Sequence, residues 1–158
     1  MENNSIYKPI GGIESCALYP ADAVEMILFS SNGCEVELSG TPLETPLLED
    51  SSYYEEVLRL QQGVASVSHL LHLVANRNDA NEWLDNDFLE RAAFEGLVAI
   101  ISLCDGRRLL AGYSMHLGDE QPLRLESITT SSGNSPRETP SATLRLVAYD
   151  AEFSMELL

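Results

Sequence analysis

Two dipeptides constrain this chain more than any other feature: Asn32-Gly33 and Asp105-Gly106, each set between runs of residues that favour extended backbone. Asn-Gly and Asp-Gly tolerate the positive φ angles of tight β-turns, so each predicts a hairpin. Val24 to Ser30 (VEMILFS) and Cys34 to Leu38 (CEVEL) form the arms of the first. Leu97 to Leu103 (LVAIISL) and Arg108 to Met115 (RLLAGYSM) form those of the second. Antiparallel pairing follows, and with it a mainly β fold.

The other segments extend this reading. Leu97 to Leu103 is apolar on both strand faces, which places it centrally, under a helix on one side and a second layer on the other. Leu123 to Thr130 (LRLESITT) and Thr143 to Tyr149 (TLRLVAY) alternate, with Leu123, Leu125, Leu144 and Leu146 facing one way and Arg124, Glu126 and Arg145 the other. Both are expected as half-buried antiparallel strands, joined by an exposed Ser/Gly/Pro-rich loop over Ser131 to Ser141. Ile13 to Tyr19 is a further short strand, closed by Pro20.

Tyr53 to Val74 admits two readings. Val57, Leu60, Val64, Val67, Leu71 and Val74 recur at helical spacing, whereas Gly63 and the poor helix formers Val64, Ser66, Val67 and Ser68 favour two strands turning near Gln62-Gly63. The two-strand reading is preferred. Asn78 to Glu95 is expected as one amphipathic helix, with Trp83, Leu84, Phe88, Ala92 and Phe94 near one stripe, Asn78 or Asp79 as cap and Gly96 as terminator.

At 158 residues, with 44% hydrophobic and 22% charged, the chain fits one globular domain, residues 13–158, preceded by a flexible or partner-ordered arm, residues 1–12. Twenty-five acidic against nine basic residues give a formal net charge of −16, which repels phosphate and argues against a conventional DNA or RNA reader. Solubility alone is the other reading of that acidity. No secretory signal and no membrane-length apolar run is found, so a soluble, cytoplasmically made protein with no membrane contact is expected. Cys16, Cys34 and Cys104 are odd in number and widely spaced, as suits reduced, buried thiols. Leu43, Leu47 and Leu48 punctuate a long loop, Ser39 to Ser52, and are candidates for inter-subunit contact; folding back over their own core is the alternative.

No residue set carries recognisable catalysis. Gly112-Tyr113-Ser114-Met115 begins like a nucleophile elbow, but His116 stands where the motif needs glycine. His69 and His72 would share a helical face but point oppositely on a strand, where hydrogen bonding at a sheet surface is expected of them and not zinc ligation. Asp79, Glu82, Asp85 and Asp87 lack the glycine and closing glutamate of a calcium loop. Glu55-Glu56 and Asp119-Glu120 are neighbours that cannot converge on one atom. There is no phosphate-binding Gly-Lys-Ser/Thr motif and no dinucleotide glycine fingerprint. The expectation is a protein with no enzyme activity, no catalytic residues, no metal and no cofactor.

The order helix, Gly96-Leu97-Val98-Ala99-Ile100-Ile101, Asp105-Gly106-Arg107, Gly112-Tyr113-Ser114, Gln121-Pro122-Leu123-Arg124-Leu125, Ser132-Gly133, Leu144-Arg145-Leu146 resembles small virion proteins of bacteriophages and prophages, particularly tail tube proteins. The resemblance covers about residues 64–150. It implies an antiparallel β-sandwich or partly open barrel with one packed α-helix. It also implies six copies in a ring, and rings stacked into a tube through which DNA passes without specific binding. Other phage tail proteins would be partners, and the location would be the virion tail, after synthesis in the bacterial host cytoplasm. Ser39 to Ser52 is by position the loop that would reach an adjacent ring. A tail terminator, head–tail connector or baseplate-hub protein, or a soluble protein-binding adaptor, are the alternatives. An acidic lumen lining would keep DNA from adhering.

Overall fold

The computed structural model describes residues 11–158 apart from residue 116, so residues 1–10 of the expected arm and His116 lie outside the described residues. In chain order the strands are β1 (Ile13–Pro20), β2 (Val24–Ser30), β3 (Gly33–Leu38), β4 (Leu43–Glu44), β5 (Tyr53–Gln61) and β6 (Val64–Asn76). After α1 (Asn86–Glu90) come β7 (Leu97–Leu103), β8 (Arg108–Ala111), β9 (Arg124–Ser131), β10 (Ser141–Asp150) and β11 (Met155–Glu156). They form a five-stranded sheet in the order β11-β8-β7-β1-β4, a four-stranded sheet in the order β5-β6-β10-β9, and the β2-β3 hairpin. Neighbouring strands within the sheets run antiparallel.

The two larger sheets face each other as a sandwich. Leu71, Leu73 and Ala75 of β6 and Ala142, Leu144, Leu146 and Ala148 of β10 pack in one core with Cys16 and Leu18 of β1 and Leu97, Ala99 and Ile101 of β7. Strand alternation explains the set, because residues two apart share a face and the β6–β10 register sets Leu73 opposite Leu144 and Leu71 opposite Leu146. The other face of β7, through Val98 and Ile100, packs with Cys34 and Leu110 against Ile27, Phe29 and Val36. The β2-β3 hairpin is thus a third layer, in the place over β7 where the sequence suggested a helix.

Both hairpins form. The second turns at Asp105-Gly106, whereas the first turns one residue early, at Ser31-Asn32, with Gly33 already in β3 and paired with Ser30. Tyr53 to Val74 resolves into two strands. Gln62 (φ 52) and Gly63 (φ 80) both adopt the left-handed conformation that a tight two-residue turn requires. The helical spacing of the valines and leucines is coincidental: Val67 and Leu71 face the core, while Val57, Val64 and Val74 share the opposite strand face. Gly33 has a different reason for being glycine. A Cβ there would come within 2.3 Å of the Glu156 carbonyl oxygen, since the end of the chain crosses directly over it.

The single helix expected over Asn78 to Glu95 is instead a broken path. Two 3-10 turns, Arg77–Asp79 and Asn81–Leu84, precede the five-residue α1, and a π turn over Arg91–Glu95 closes with the Gly96 amide donating to the Arg91 carbonyl at 2.9 Å. Asn and Asp side chains offer the backbone local alternatives to helix. Asn76 Oδ1 accepts from the Asn78 amide, and Asn81 Nδ2 donates to the Asn78 carbonyl. Trp83, Phe88 and Ala92 reach the core, but Phe94, expected on the same stripe, is 76% exposed. Gly96 (φ 88) does end the segment.

The Ser39 to Ser52 loop lies back on its own sandwich. Leu43 sits in β4 opposite Leu18, Leu43 and Leu47 pack on the main core, and the Leu48 amide donates to the Val74 carbonyl. Cys16 and Cys34 are buried free thiols, but Cys104, expected buried with them, is exposed at the β7–β8 turn. The final segment crosses the end of the sandwich: β11 pairs with β8, and the Leu158 amide donates to the Cys34 carbonyl. Among the described residues no helix is long and apolar enough to cross a membrane.

Candidate functional site

The β5–β6 turn fixes a register in which Glu56 opposes His69 and Tyr54 opposes Leu71, and it points Tyr54, Glu56 and His69 toward the core face. The final segment brings Ser154 onto them. His69 Nδ1 lies 2.9 Å from Glu56 Oε2, 2.6 Å from the Tyr54 hydroxyl and 3.3 Å from Ser154 Oγ, while Nε2 lies 3.1 Å from the Glu152 carbonyl oxygen. The Ser154 amide donates to Glu56 Oε2 at 2.7 Å, and the Tyr54 and Ser154 hydroxyls are 2.5 Å apart.

The Glu152 carbonyl can only accept, so Nε2 is its donor, while Nδ1 is shared among Glu56, the Tyr54 hydroxyl and Ser154. The His69–Glu56 pair is 5% exposed on the histidine side and 18% on the glutamate side. Burial pushes the Glu56 carboxyl up, but hydrogen bonds from His69 and the Ser154 amide outweigh it, and the carboxyl titrates below its ordinary range. Burial, reinforced by the nearby Glu56 charge, drives the Tyr54 hydroxyl well above its usual range, so it stays protonated.

A serine, a histidine and a glutamate in contact raise the question of nucleophilic chemistry. Here the histidine nitrogen facing Ser154 lies closer to the Tyr54 hydroxyl and to Glu56 than to the serine, so it is engaged by other partners. A nucleophile must also meet a substrate, yet the cleft of about 540 Å3 beside α1 is lined by Leu18, Leu43, Asp85, Phe88, Arg91 and their neighbours, not by these four residues. The cluster can instead clamp the segment 151–158 across the end of the sandwich.

The other sequence candidates are dispersed. His72 lies on the opposite face of β6 from His69, stacked on Tyr53 at 4.5 Å, with Arg145 Nη1 3.1 Å from Nδ1. Burial and the Arg145 charge lower its pKa. Ser114 is not in a strand: it is buried in a turn, with its Oγ accepting from the Leu117 amide. Among the described residues no three His, Cys, Asp or Glu side chains are grouped to hold a metal ion.

The second notable site is the four-stranded sheet. Its outer strands β5, nine residues long, and β9, eight residues long, pair with no other strand among the described residues along their outward edges. The face turned away from the core mixes apolar residues, Val57, Val64, Leu70, Val74 and Val147, with hydroxyl-bearing ones such as Ser66, Ser68, Ser127 and Thr129, and sets Arg59, Arg124 and Arg145 against Glu55 and Glu126. Arg145 Nε donates to Glu126 Oε1 at 3.0 Å. In a chain of charge −16 this face is close to neutral, so the carboxylate lining expected of a lumen is not on it. Other acidic residues lie on the segment around α1, in the loops and on the β2-β3 hairpin, as Glu25, Glu35 and Glu37.

Compared with known proteins, the chain matches no family model, no curated protein and no solved structure. What defines it is the sandwich itself, its clamped end and its two open edges.

Sequence reasoning missed the charged cluster because it compared Glu56 with its neighbour Glu55 and His69 with His72. The signal was in the turn: a two-residue loop at Gln62-Gly63 sets Gln61 opposite Val64, and counting outward sets Glu56 opposite His69. Ser154, far along the chain, has no such signal.

Proposed function

We propose that this chain is a structural subunit that assembles into closed rings through the edges of its four-stranded sheet, as a phage tail component of the tail tube kind, with no catalytic role. The observation that carries the reading is the sheet β5-β6-β10-β9, with two edges of nearly equal length at opposite ends that no strand among the described residues pairs. Four strands alternating in direction leave β5 and β9 antiparallel. Rotation about an axis along the strands therefore brings the β9 edge of one copy against the β5 edge of the next in antiparallel register. Such a contact is head-to-tail and closes into a ring, which satisfies backbone groups that an open edge leaves to solvent.

The open face would then line the lumen. Its aliphatic and hydroxyl-bearing residues with nearly balanced charges present DNA with little net field, and that serves passage in place of the repulsive lining expected from composition. A tail terminator, connector or hub ring would use the same edges.

The test is assembly. Purified protein examined by electron microscopy and light scattering should form rings or tubes; a chain that stays monomeric at high concentration overturns the reading. Neighbouring amides of a strand point to opposite sides, so of Thr129→Pro and Thr130→Pro one removes an amide aimed at the open edge and the other an amide paired with β10. The first variant should keep the monomer's thermal transition and lose rings, and the second should lower the transition. Rings that survive both would exclude β9 as the contact.

A further inference from the structure

Between the β1–β4 edge and α1 runs the cleft of about 540 Å3. Leu18, Leu43, Phe88 and Leu97 give it an apolar floor, and Glu82, Asp85 and Asp87 stand around it with Arg91 as the cation. The Arg91 guanidinium is shared with Glu95, 3.7 Å away. An apolar trough under a net negative field selects an occupant that is apolar and cationic at once.

We propose that this cleft receives residues 6–10, Ile6-Tyr7-Lys8-Pro9-Ile10, of a second copy of the chain. Lys8 is the only lysine in the sequence, and Ile6, Tyr7 and Ile10 flank it with apolar surface. Several other cations are engaged within their own fold: Arg77 with Asn81, Arg107 with Asp105, Arg145 with Glu126. Pro9 removes a backbone donor, which suits a segment lying in a trough by its side chains more than one adding to a sheet.

Reach requires the second copy. Lys8 is three residues from Gly11, so its Cα lies within about 11 Å of that point even when fully extended. The cleft is bordered by Leu18, Tyr19 and Pro20, at the far end of β1. At about 3.3 Å per residue the path from Gly11 to those positions is roughly 23 to 30 Å. A chain therefore cannot bring its own Lys8 to its own cleft. The contact gives one segment and takes another, so like the edge contact it is head-to-tail. It rests on the ring-subunit reading only in needing a second copy.

The single lysine makes the test clean. Carbodiimide treatment of a mixture of nitrogen-15-labelled and unlabelled full-length protein couples the Lys8 amine to a carboxylate within contact, and mass spectrometry identifies the pair and its isotopic origin. Links from Lys8 to Glu82, Asp85 or Asp87 that join labelled to unlabelled chains, and that fade as salt is raised, are expected. Lys8→Glu should abolish them. Lys8→Glu combined with Asp85→Lys and Asp87→Lys should restore intermolecular links in reversed polarity, which controls for damage to the fold. Links confined to one chain, links scattered over other carboxylates, or no links would overturn the docking. Rings without these links reject the docking and keep the edge reading; these links without rings reject the edge reading and keep the docking.

Discussion

Glu56 and His69 show how one cross-strand pair can hold a distant part of the chain. The two side chains are buried together and bonded to Ser154 and to the Glu152 carbonyl, so removing one partner leaves the other buried with its cross-strand bond lost. Glu56→Gln should lower unfolding free energy by about 3 kcal/mol in urea titrations at neutral pH, the lower part of the range for broken buried pairs. Replacing both with leucine should cost less than the single change. The pH dependence has a definite sign. Glu56 titrates below its ordinary value near 4.5, so its contribution is fully present above that value and fades as pH falls through the lower folded value. The stability difference between the native chain and Glu56→Gln should therefore shrink below about pH 4.5; a difference constant down to strongly acid pH would refute the assignment. The thiols give a second residue-scale prediction. Burial and the charge of Glu44 push Cys16 up to about 12, and burial raises Cys34, whereas Cys104 is exposed. A thiol reagent should label Cys104 in the folded protein, and Cys16 and Cys34 only as it unfolds. Burial of Cys16 and Cys34 was legible in the sequence from residue type; the exposure of Cys104, one residue before Asp105-Gly106, was legible from the turn and was overlooked.

At the scale of elements, the hairpins were readable because turn-forming residues stand between runs of strand formers, although the first turn falls on Ser31-Asn32, one residue before the expected glycine. The β5–β6 turn is the informative case, since helical spacing pointed the other way and the left-handed pair Gln62-Gly63 decided it. A Cβ at Gly63 meets nothing within 4 Å, so any cost of Gly63→Ala is conformational and not a clash. It should be about 1 to 2 kcal/mol, read as a shift in denaturation midpoint. Gln62→Asn should move the midpoint the opposite way, because asparagine tolerates the left-handed region better than glutamine does. The segment around α1 was misread for a physical reason of the same kind. Its apolar spacing satisfies a helix, but its asparagines and aspartates bond to nearby backbone, and the outcome is several short turns that still deliver Trp83, Phe88 and Ala92 to the core. Periodicity identified most of the buried residues there without identifying the element.

For the whole molecule, alternation of leucines in β9 and β10 and the doubly apolar β7 were enough to foresee a layered antiparallel β fold. The identity of the third layer was not, because nothing in Val24 to Leu38 says which face of which sheet it will cover. The ring proposed for the four-stranded sheet inherits a property from strand parity. An odd number of alternating strands would force a parallel seam at each junction, whereas four permits the same antiparallel junction in a ring of any size. Stoichiometry is then a matter of curvature and not of pairing. The irregularity at Arg145/Leu146, where β9 carries the additional residue Glu126, is the local source of extra twist in that sheet. Deleting Glu126 should flatten the sheet and increase the number of subunits per ring, visible as a wider lumen in electron micrographs. The diameter of whatever passes through would be written in a single bulged residue, while the contacts that join one copy to the next stay the same.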